Sequence, residues 1–359
     1  MKHILVLGGT GFVGSHVCEK LIRAGLRVTV LTRRARNARA IQHLPALTVL
    51  ECDIHNEAAL TLAFSGVDAV VNLVAVLHGS AAAFERVHVA LPAAIARACQ
   101  RQGVRHLVHV SALGADHLAP QTGPSNYLRS KSRGELSLVQ ITGNGRAAGP
   151  VGQQLGVAVA HTGLTLLRPS VIFGANDKFL NVFARLQRVF PVMPLAGAQA
   201  RFQPLWVQDV AQAVVHCVCT GLAAAPQLSI LELVGSQVYT LRELVHMSAC
   251  MAGINQGRGR PVIGLPRWMG QMQALILGLL PGEPLMSLDN LDSMRSDNVA
   301  SGTWPGLETL GIAPASLLAI GPQYLAGSIA GSAPLGATTR TYALAPVVGM
   351  GLGGIPEPS

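Results

Sequence analysis

The sequence predicts an α/β fold, a doubly wound parallel sheet with helices on both faces and a smaller C-terminal subdomain. Three observations predict it. Apolar runs of strand length alternate with stretches of helical period from the first residues onward. The first run, residues 4–7, passes straight into three glycines spaced three apart, Gly8, Gly11 and Gly14. After the fifth run, Tyr127 and Lys131 stand four residues apart, on one face of an expected helix.

Strands are expected at 4–7, 27–31, 47–51, 69–73, 106–110 and 164–167. A helix runs from the glycine turn to Ala24, with Phe12, Val13, Val17, Leu21 and Ile22 at helical spacing, and further helices are expected at 57–64, 81–102 and 125–141. Ligands of open α/β sheets bind beyond the carboxyl ends of the strands. The residues just after each strand are therefore the candidates for function.

The first such stretch is the glycine turn. Gly8 lets the chain leave the strand sharply, Gly11 lets a pyrophosphate approach the backbone, and Gly14 lets the helix pack closely. The free N–H groups and dipole of the helix N-terminus then face the phosphates. With Thr10, Phe12 and Val13 these residues form a Rossmann-type dinucleotide cradle. After the second strand come Arg33 and Arg34, with Arg36 and Arg39 nearby. A carboxylate there would hold the ribose 2′-hydroxyl of NAD, whereas arginine favours the 2′-phosphate, so NADP(H) is expected over NAD(H).

After the fifth strand comes Ser111, then Tyr127 and Lys131 on the next helix. This spacing suits carbonyl and alcohol chemistry. A lysine cation beside a phenol lowers its pKa from about 10 toward neutrality. The tyrosine can then pass a proton to or from a substrate oxygen, which a serine hydroxyl orients.

The spelling Gly8-Gly9-Thr10-Gly11-Phe12-Val13-Gly14, followed in order by Ser111 and the Tyr127/Lys131 pair, resembles the extended and atypical branches of the short-chain dehydrogenase/reductase superfamily, whose members include epimerases and dehydratases. The resemblance implies that Asp53, with its neighbour Ile54, lies near the adenine; capping of the next helix is the other reading of Asp53. It implies that Val74 and Ala75 wall the cofactor, that Lys131 reaches the nicotinamide ribose, and that the loop of Pro169, Ser170 and Ile172 lies against the nicotinamide. Extended members usually separate serine and tyrosine by more than the 16 positions found here. That leaves Ser125 as an alternative to Ser111 and argues against a nucleotide-sugar epimerase.

The stretches 168–181, 203–211 and 305–312 are similar to atypical reductase-like proteins related to the NADPH-holding accessory subunit of respiratory complex I. The likeness runs from residue 1 to about residue 325. It implies two functions of different kinds. One is an oxidoreductase acting on a small-molecule carbonyl or secondary alcohol, linked to quinone or respiratory-chain metabolism, with Tyr127 as acid/base. The other is a non-catalytic accessory or assembly protein with a structural nucleotide, associated with a respiratory complex. A homodimer through 81–102 and 125–141 is expected by the same analogy.

Half of the 359 residues are hydrophobic and 13% are charged, with a net charge of +9. A basic chain suits phosphates, nucleotides and anionic lipid. With aromatics at 4% and no basic run interleaved with them, nucleic acid is not an expected partner. The six cysteines are scattered and complete no zinc pattern, so neither metal nor disulfide is expected and the compartment reads as reducing. The first strand opens the chain, with no cleavable signal before it, and no apolar run has the length of a membrane span. A cytoplasmic protein, with a peripheral position at the inner face of a membrane as its variant, is the expectation.

The dinucleotide domain is expected at 1–168 and the C-terminal subdomain at 169–326, with the chain recrossing to the first domain near 203–235. Residues 266–280 read as an amphipathic helix with Trp268, Met269, Met272, Leu275, Ile276 and Leu279 on one side. The preferred reading is a buried lid helix, a membrane-surface helix being the other. A glycine-rich insertion at 143–163 reads as a surface loop, and 327–359 as a disordered tail.

Overall fold

Seven parallel strands make the central sheet of the computed structural model. In spatial order they are β3 (Leu47–Glu51), β2 (Arg27–Thr32), β1 (His3–Leu7), β4 (Ala69–Asn72), β5 (His106–Val110), β6 (Gly163–Pro169) and β9 (Leu228–Leu233). The structure describes residues 1–143, 162–278 and 287–326. The insertion expected at 143–163 falls almost wholly outside the described residues, and the tail at 327–359 entirely so.

Strands buried on both faces send alternate side chains to opposite layers. Ile4 and Val6 of β1 join Val17 and Leu21 of α1 (Phe12–Arg23) and Val210 and Val214 of α7 (Val207–Ala223). Leu5 and Leu7 join the other layer, with Leu60 of α2 (Glu57–Ala63), Ile95 of α4 (Leu91–Gln102) and Leu138 of α5 (Asn126–Thr142). The seventh strand is additional to the six expected. It reaches the sheet through α7, which packs on α1 and delivers β9 alongside β6.

The C-terminal part is built on short pairings. Parallel β8 (Met193–Ala196) and β10 (Val262–Leu265) lie together, with α6 (Leu180–Val189) packed on α8 (Leu241–Met251). The amphipathic stretch forms α9 (Arg267–Gly278), but the expected burial is not what the structure gives. Trp268 is 66% exposed, Met272 53% and Met269 38%. Gly270 and Gln273 face inward instead: a Cβ on Gly270 would sit 2.6 Å from that of Ala196, and Gln273 Nε2 donates to Pro194 O at 3.3 Å. The polar and small residues hold the helix, and the apolar stripe is turned out. Leu275 and Ile276 have no described side chains, and Leu279 lies outside the described residues.

The glycine turn has tight steric demands. Gly8 has φ +81°, and a Cβ on Gly14 would lie 2.1 Å from Gly8 O and 2.6 Å from Gly9 Cα. Overpacking against backbone cannot be relieved by a rotamer change. Gly14→Ala is expected to cost about 2 kcal/mol, read as a lower urea midpoint at unchanged slope.

Candidate nucleotide and proton-transfer site

Strand order reverses between β1 and β4, and the crevice at their carboxyl ends is where such sheets bind ligands. The turn after β1 and the loop after β4 meet there. An ideal Cβ on Gly8 would lie 3.1 Å from Leu73 C and 3.2 Å from Val74 N. Gly11 is the exposed N-cap of α1, and its N–H donates to Gly8 O at 3.0 Å. Thr10 and Val13 flank it half-buried, and the Phe12 ring rests against Gly174, beyond the Pro169 loop. The Val74 N–H donates to Asn72 Oδ1 at 3.1 Å, which fixes the loop, and Ala75 beside it is exposed.

Arg33 and Arg34 are exposed after β2 and pair with no carboxylate among the described residues. Glu51, at the end of β3, accepts from the Ala35 N–H. Asp53 does not cap α2. Its Oδ1 accepts from His55 N at 3.0 Å, and Asn56 is the N-cap, accepting from Ala59 N at 3.1 Å. Asp53 is spent on a two-residue turn just upstream, with Ile54 packed against the core.

The α5 residues sit deeper. Lys131 is 2% exposed, and its Nζ donates to Val110 O at 3.2 Å, the carbonyl just before Ser111. Burial pulls its pKa down to about 8 against the opposing pull of the Glu135 carboxylate. Tyr127 is half-buried, its ring edge-on to His88 (5.4 Å) and Phe84 (6.1 Å). Its pKa is pushed up to about 12 by burial, not drawn toward neutrality as the spacing predicts. The ammonium expected to pull it down is itself desolvated and bonded to a main-chain carbonyl. Ser111 Oγ is buried without a hydrogen-bond partner, although its N–H donates to Leu167 O at 2.7 Å. Ser125 is committed elsewhere: its Oγ caps α5, accepting from Leu128 N at 3.1 Å, and receives Ser293 Oγ at 2.8 Å.

The Pro169 loop is tied across the site. Pro169 O accepts from Leu113 N at 2.9 Å. Ser170 donates to Asn298 Oδ1 at 2.6 Å, so its hydroxyl is engaged within the fold. Ile172 begins the short β7 (Ile172–Phe173).

Three features escape the sequence reading. The stretch read as one helix is interrupted by a π-helical segment, Glu85–Ala90, between α3 (Ala81–Phe84) and α4. It holds buried His88, whose Nε2 accepts from Val76 N at 3.2 Å, so Nδ1 carries the proton toward Ser130 Oγ at 2.8 Å; that hydroxyl donates to Tyr127 O at 2.7 Å. His88 thus links the loop after β4 to the tyrosine turn, and burial pulls its pKa down to about 3. The signal was Gly134 in mid-helix, where a Cβ would lie 1.9 Å from His88 O. Second, Arg168 and Glu135 form a buried bidentate pair, at 3.1 and 2.6 Å. An arginine inside an apolar strand needs such a partner. Third, Asp289 of α10 (Leu288–Ser293) caps the tyrosine turn, accepting from Asn126 N at 2.7 Å and Tyr127 N at 3.0 Å. Nothing local in the sequence announces that contact.

Comparison with known proteins adds four findings. Residues 4–224 match the NAD dependent epimerase/dehydratase family. The chain is 30% identical over 319 residues to NADH dehydrogenase [ubiquinone] 1 alpha subcomplex subunit 9, mitochondrial, of Mus musculus, covering 87% of this chain and 76% of the relative. It is 26% identical over 253 residues to a ceramide reductase of Caulobacter vibrioides, 70% of each chain. Among solved structures it superposes on the dTDP-glucose 4,6-dehydratase of Streptomyces venezuelae, a structure holding NAD, with a TM-score of 0.65 at 19% identity over 90% of this chain and 95% of the other. That last likeness is one of fold.

Proposed function

This chain belongs to the NAD dependent epimerase/dehydratase family, and on that premise we propose that it binds a nicotinamide dinucleotide, NADPH in preference to NADH, and reduces a carbonyl to an alcohol. The observation that carries the catalytic part is Ser111 Oγ, a buried hydroxyl with no partner, next to the carbonyl that holds Lys131. A buried polar atom left unpaired costs stability unless a ligand satisfies it. The crowded turn of Gly8 and Gly14 and the exposed N-cap Gly11 fit a bound pyrophosphate. Bound nicotinamide would supply the hydride. Ser111 donates a hydrogen bond to the substrate oxygen, and Tyr127 gives that oxygen its proton. With its pKa pushed up to about 12, the phenol is protonated at neutral pH and ready to donate to a carbonyl oxygen. Lys131, anchored at Val110 O, holds the ribose.

Titration with NADPH and NADH tests the nucleotide part, with mass spectrometry of whatever nucleotide leaves the denatured protein. NADPH should bind about 10-fold more tightly, and Arg33→Gln with Arg34→Gln should erase the difference, about 1.4 kcal/mol. Equal affinities in the parent chain would sink the assignment of the arginines.

A second reading has its own support. The mouse relative is a subunit of a mitochondrial NADH dehydrogenase, and the similarity spans 87% of this chain. On that reading the nucleotide is structural and the protein associates with a respiratory complex. Tyr127→Phe separates the two. An enzyme should lose roughly 10²- to 10⁴-fold in turnover while keeping its nucleotide; an accessory protein should keep both its nucleotide and its assembly role.

A further inference from the structure

We propose that the corner built by β8, β10 and α9 docks onto an anionic phospholipid bilayer. Six of the fifteen large hydrophobic residues exposed among the described residues lie here: Phe190, Val192, Ile263, Trp268, Met269 and Met272. That concentration makes a patch, where singly scattered apolar residues would need no explanation. The segments that carry it meet at one shared neighbour, Pro194. Val192 leads into β8, Ile263 stands opposite Pro194 in the strand register, and Gln273 of α9 is bonded to Pro194 O. Gly270 and Gln273 pin α9 to the strand, so Trp268 and Met272 project away from the fold.

Charge decides what covers it. Beside the patch, Arg242, Arg267 and Arg295 line a cavity of about 760 Å³ between β10 and α9, with Gln271 also on its wall. The one carboxylate in that lining, Asp292, lies 3.5 Å from the Arg267 guanidinium and leaves the other two arginines in excess. A basic cavity whose α9 residues, Arg267 and Gln271, directly precede exposed Trp268 and Met272 matches a headgroup layer, which offers phosphate to the arginines and an apolar boundary to the ring and thioether. An acidic protein would satisfy the arginines but would have to bring its own apolar surface. On a chain of net charge +9, the anionic bilayer meets both demands at once.

The test is co-sedimentation of the full chain with vesicles of phosphatidylcholine alone and of phosphatidylcholine mixed with phosphatidylglycerol. Binding should be at least 10-fold stronger to the anionic vesicles and should weaken as salt rises. Trp268→Ala with Met272→Ser should lower it at least 10-fold, as should Arg242→Gln with Arg295→Gln. All four positions are exposed, so unchanged circular dichroism and Tm establish that the variants are folded. Failure to bind, equal binding to neutral vesicles, or binding indifferent to both double variants overturns the proposal. So does release by millimolar inorganic phosphate, which would make the cavity a soluble-anion site. A dimer by light scattering that becomes monomeric in the Trp268 variant would assign the patch to a second copy of the chain, and would equally overturn it.

Discussion

Arg168→Met is expected to destabilise the protein by about 3–5 kcal/mol, because it strands the Glu135 carboxylate in the core. Arg168 and Glu135 are both almost fully buried, and the guanidinium meets both carboxylate oxygens. The same guanidinium donates to His117 Nδ1 at 3.3 Å and lies over the Trp304 ring at 5.5 Å, which ties the segment around residue 304 to the end of β6. Neither charge has water to fall back on, so the survivor carries its whole desolvation cost. The double variant Glu135→Leu with Arg168→Met should recover most of the loss, since two apolar side chains of similar volume need no partner. Urea midpoints at constant slope measure both. If the single variant loses less than about 1 kcal/mol, the pair is solvated and the assignment of a dry charge pair is wrong. The pair also bears on the site: Glu135 is the carboxylate that opposes the fall in the Lys131 pKa. Its removal alone should push that lysine further toward neutrality.

What can be read from the sequence follows the range of the interactions. Strands β3 and β5 are legible to the residue, because a run such as His106–Val110 is buried by its own composition and bounded by turns. The glycine turn is legible because its constraints are local: a Cβ at Gly14 strikes a carbonyl six residues away. The pair Tyr127 and Lys131 is legible because helical spacing places both on one face. What stays hidden depends on partners far along the chain. Asp289 reaches Tyr127 across 162 positions, and Asn298 reaches Ser170 across 128. The π-helical turn at His88 lies where α5 packs Gly134 against its carbonyl, and helical periodicity does not encode that contact. The outward turn of Trp268 and Met272 is of the same kind. Apolar spacing tells that a helix has an apolar face, but Gly270 and Gln273 decide which face meets the strand. The tyrosine pKa escapes because spacing gives proximity, whereas the shift is set by desolvation.

Raising the pH from 8 to 10 should stabilise the parent chain relative to its Lys131→Met variant, a comparison in which the other titrating groups cancel. The lysine pKa is about 8 in the folded protein, against 10.5 ordinarily. Below pH 8 the ammonium is charged in both states, and folding bears the full cost of burying it, about 3 kcal/mol from the gap between the two values. Between pH 8 and 10.5 this lysine binds more protons in the unfolded chain than in the folded one, so its contribution to stability rises with pH. Tyr127 acts in the opposite sense above pH 10. Its pKa of about 12 in the fold, against 10.0 ordinarily, means that the unfolded phenol loses its proton first, and stability then falls. The buried thiols of Cys18, Cys99 and Cys217, pushed up by burial, act in the same sense as Tyr127 from about pH 9. These contributions are common to the parent chain and Lys131→Met, so the difference between the two climbs from pH 8 and levels off near pH 10.5, and denaturant midpoints of both chains across that range trace it. Lys131→Met should lie above the parent chain at pH 7 by roughly 1–2 kcal/mol, the relieved charge outweighing the lost bond to Val110 O. It should also bind nucleotide poorly. A difference between parent and variant that stays flat from pH 8 to 10 would mean that water reaches the ammonium, and would overturn the assignment of this lysine as a buried cation. A buried cation that costs stability, one helical turn from a half-buried phenol and next to an unpaired hydroxyl, is an arrangement that folding alone does not call for. A bound ribose accepting from that ammonium would supply the interaction the fold leaves out. Nucleotide should therefore stabilise the parent chain more than it stabilises the Lys131→Met variant.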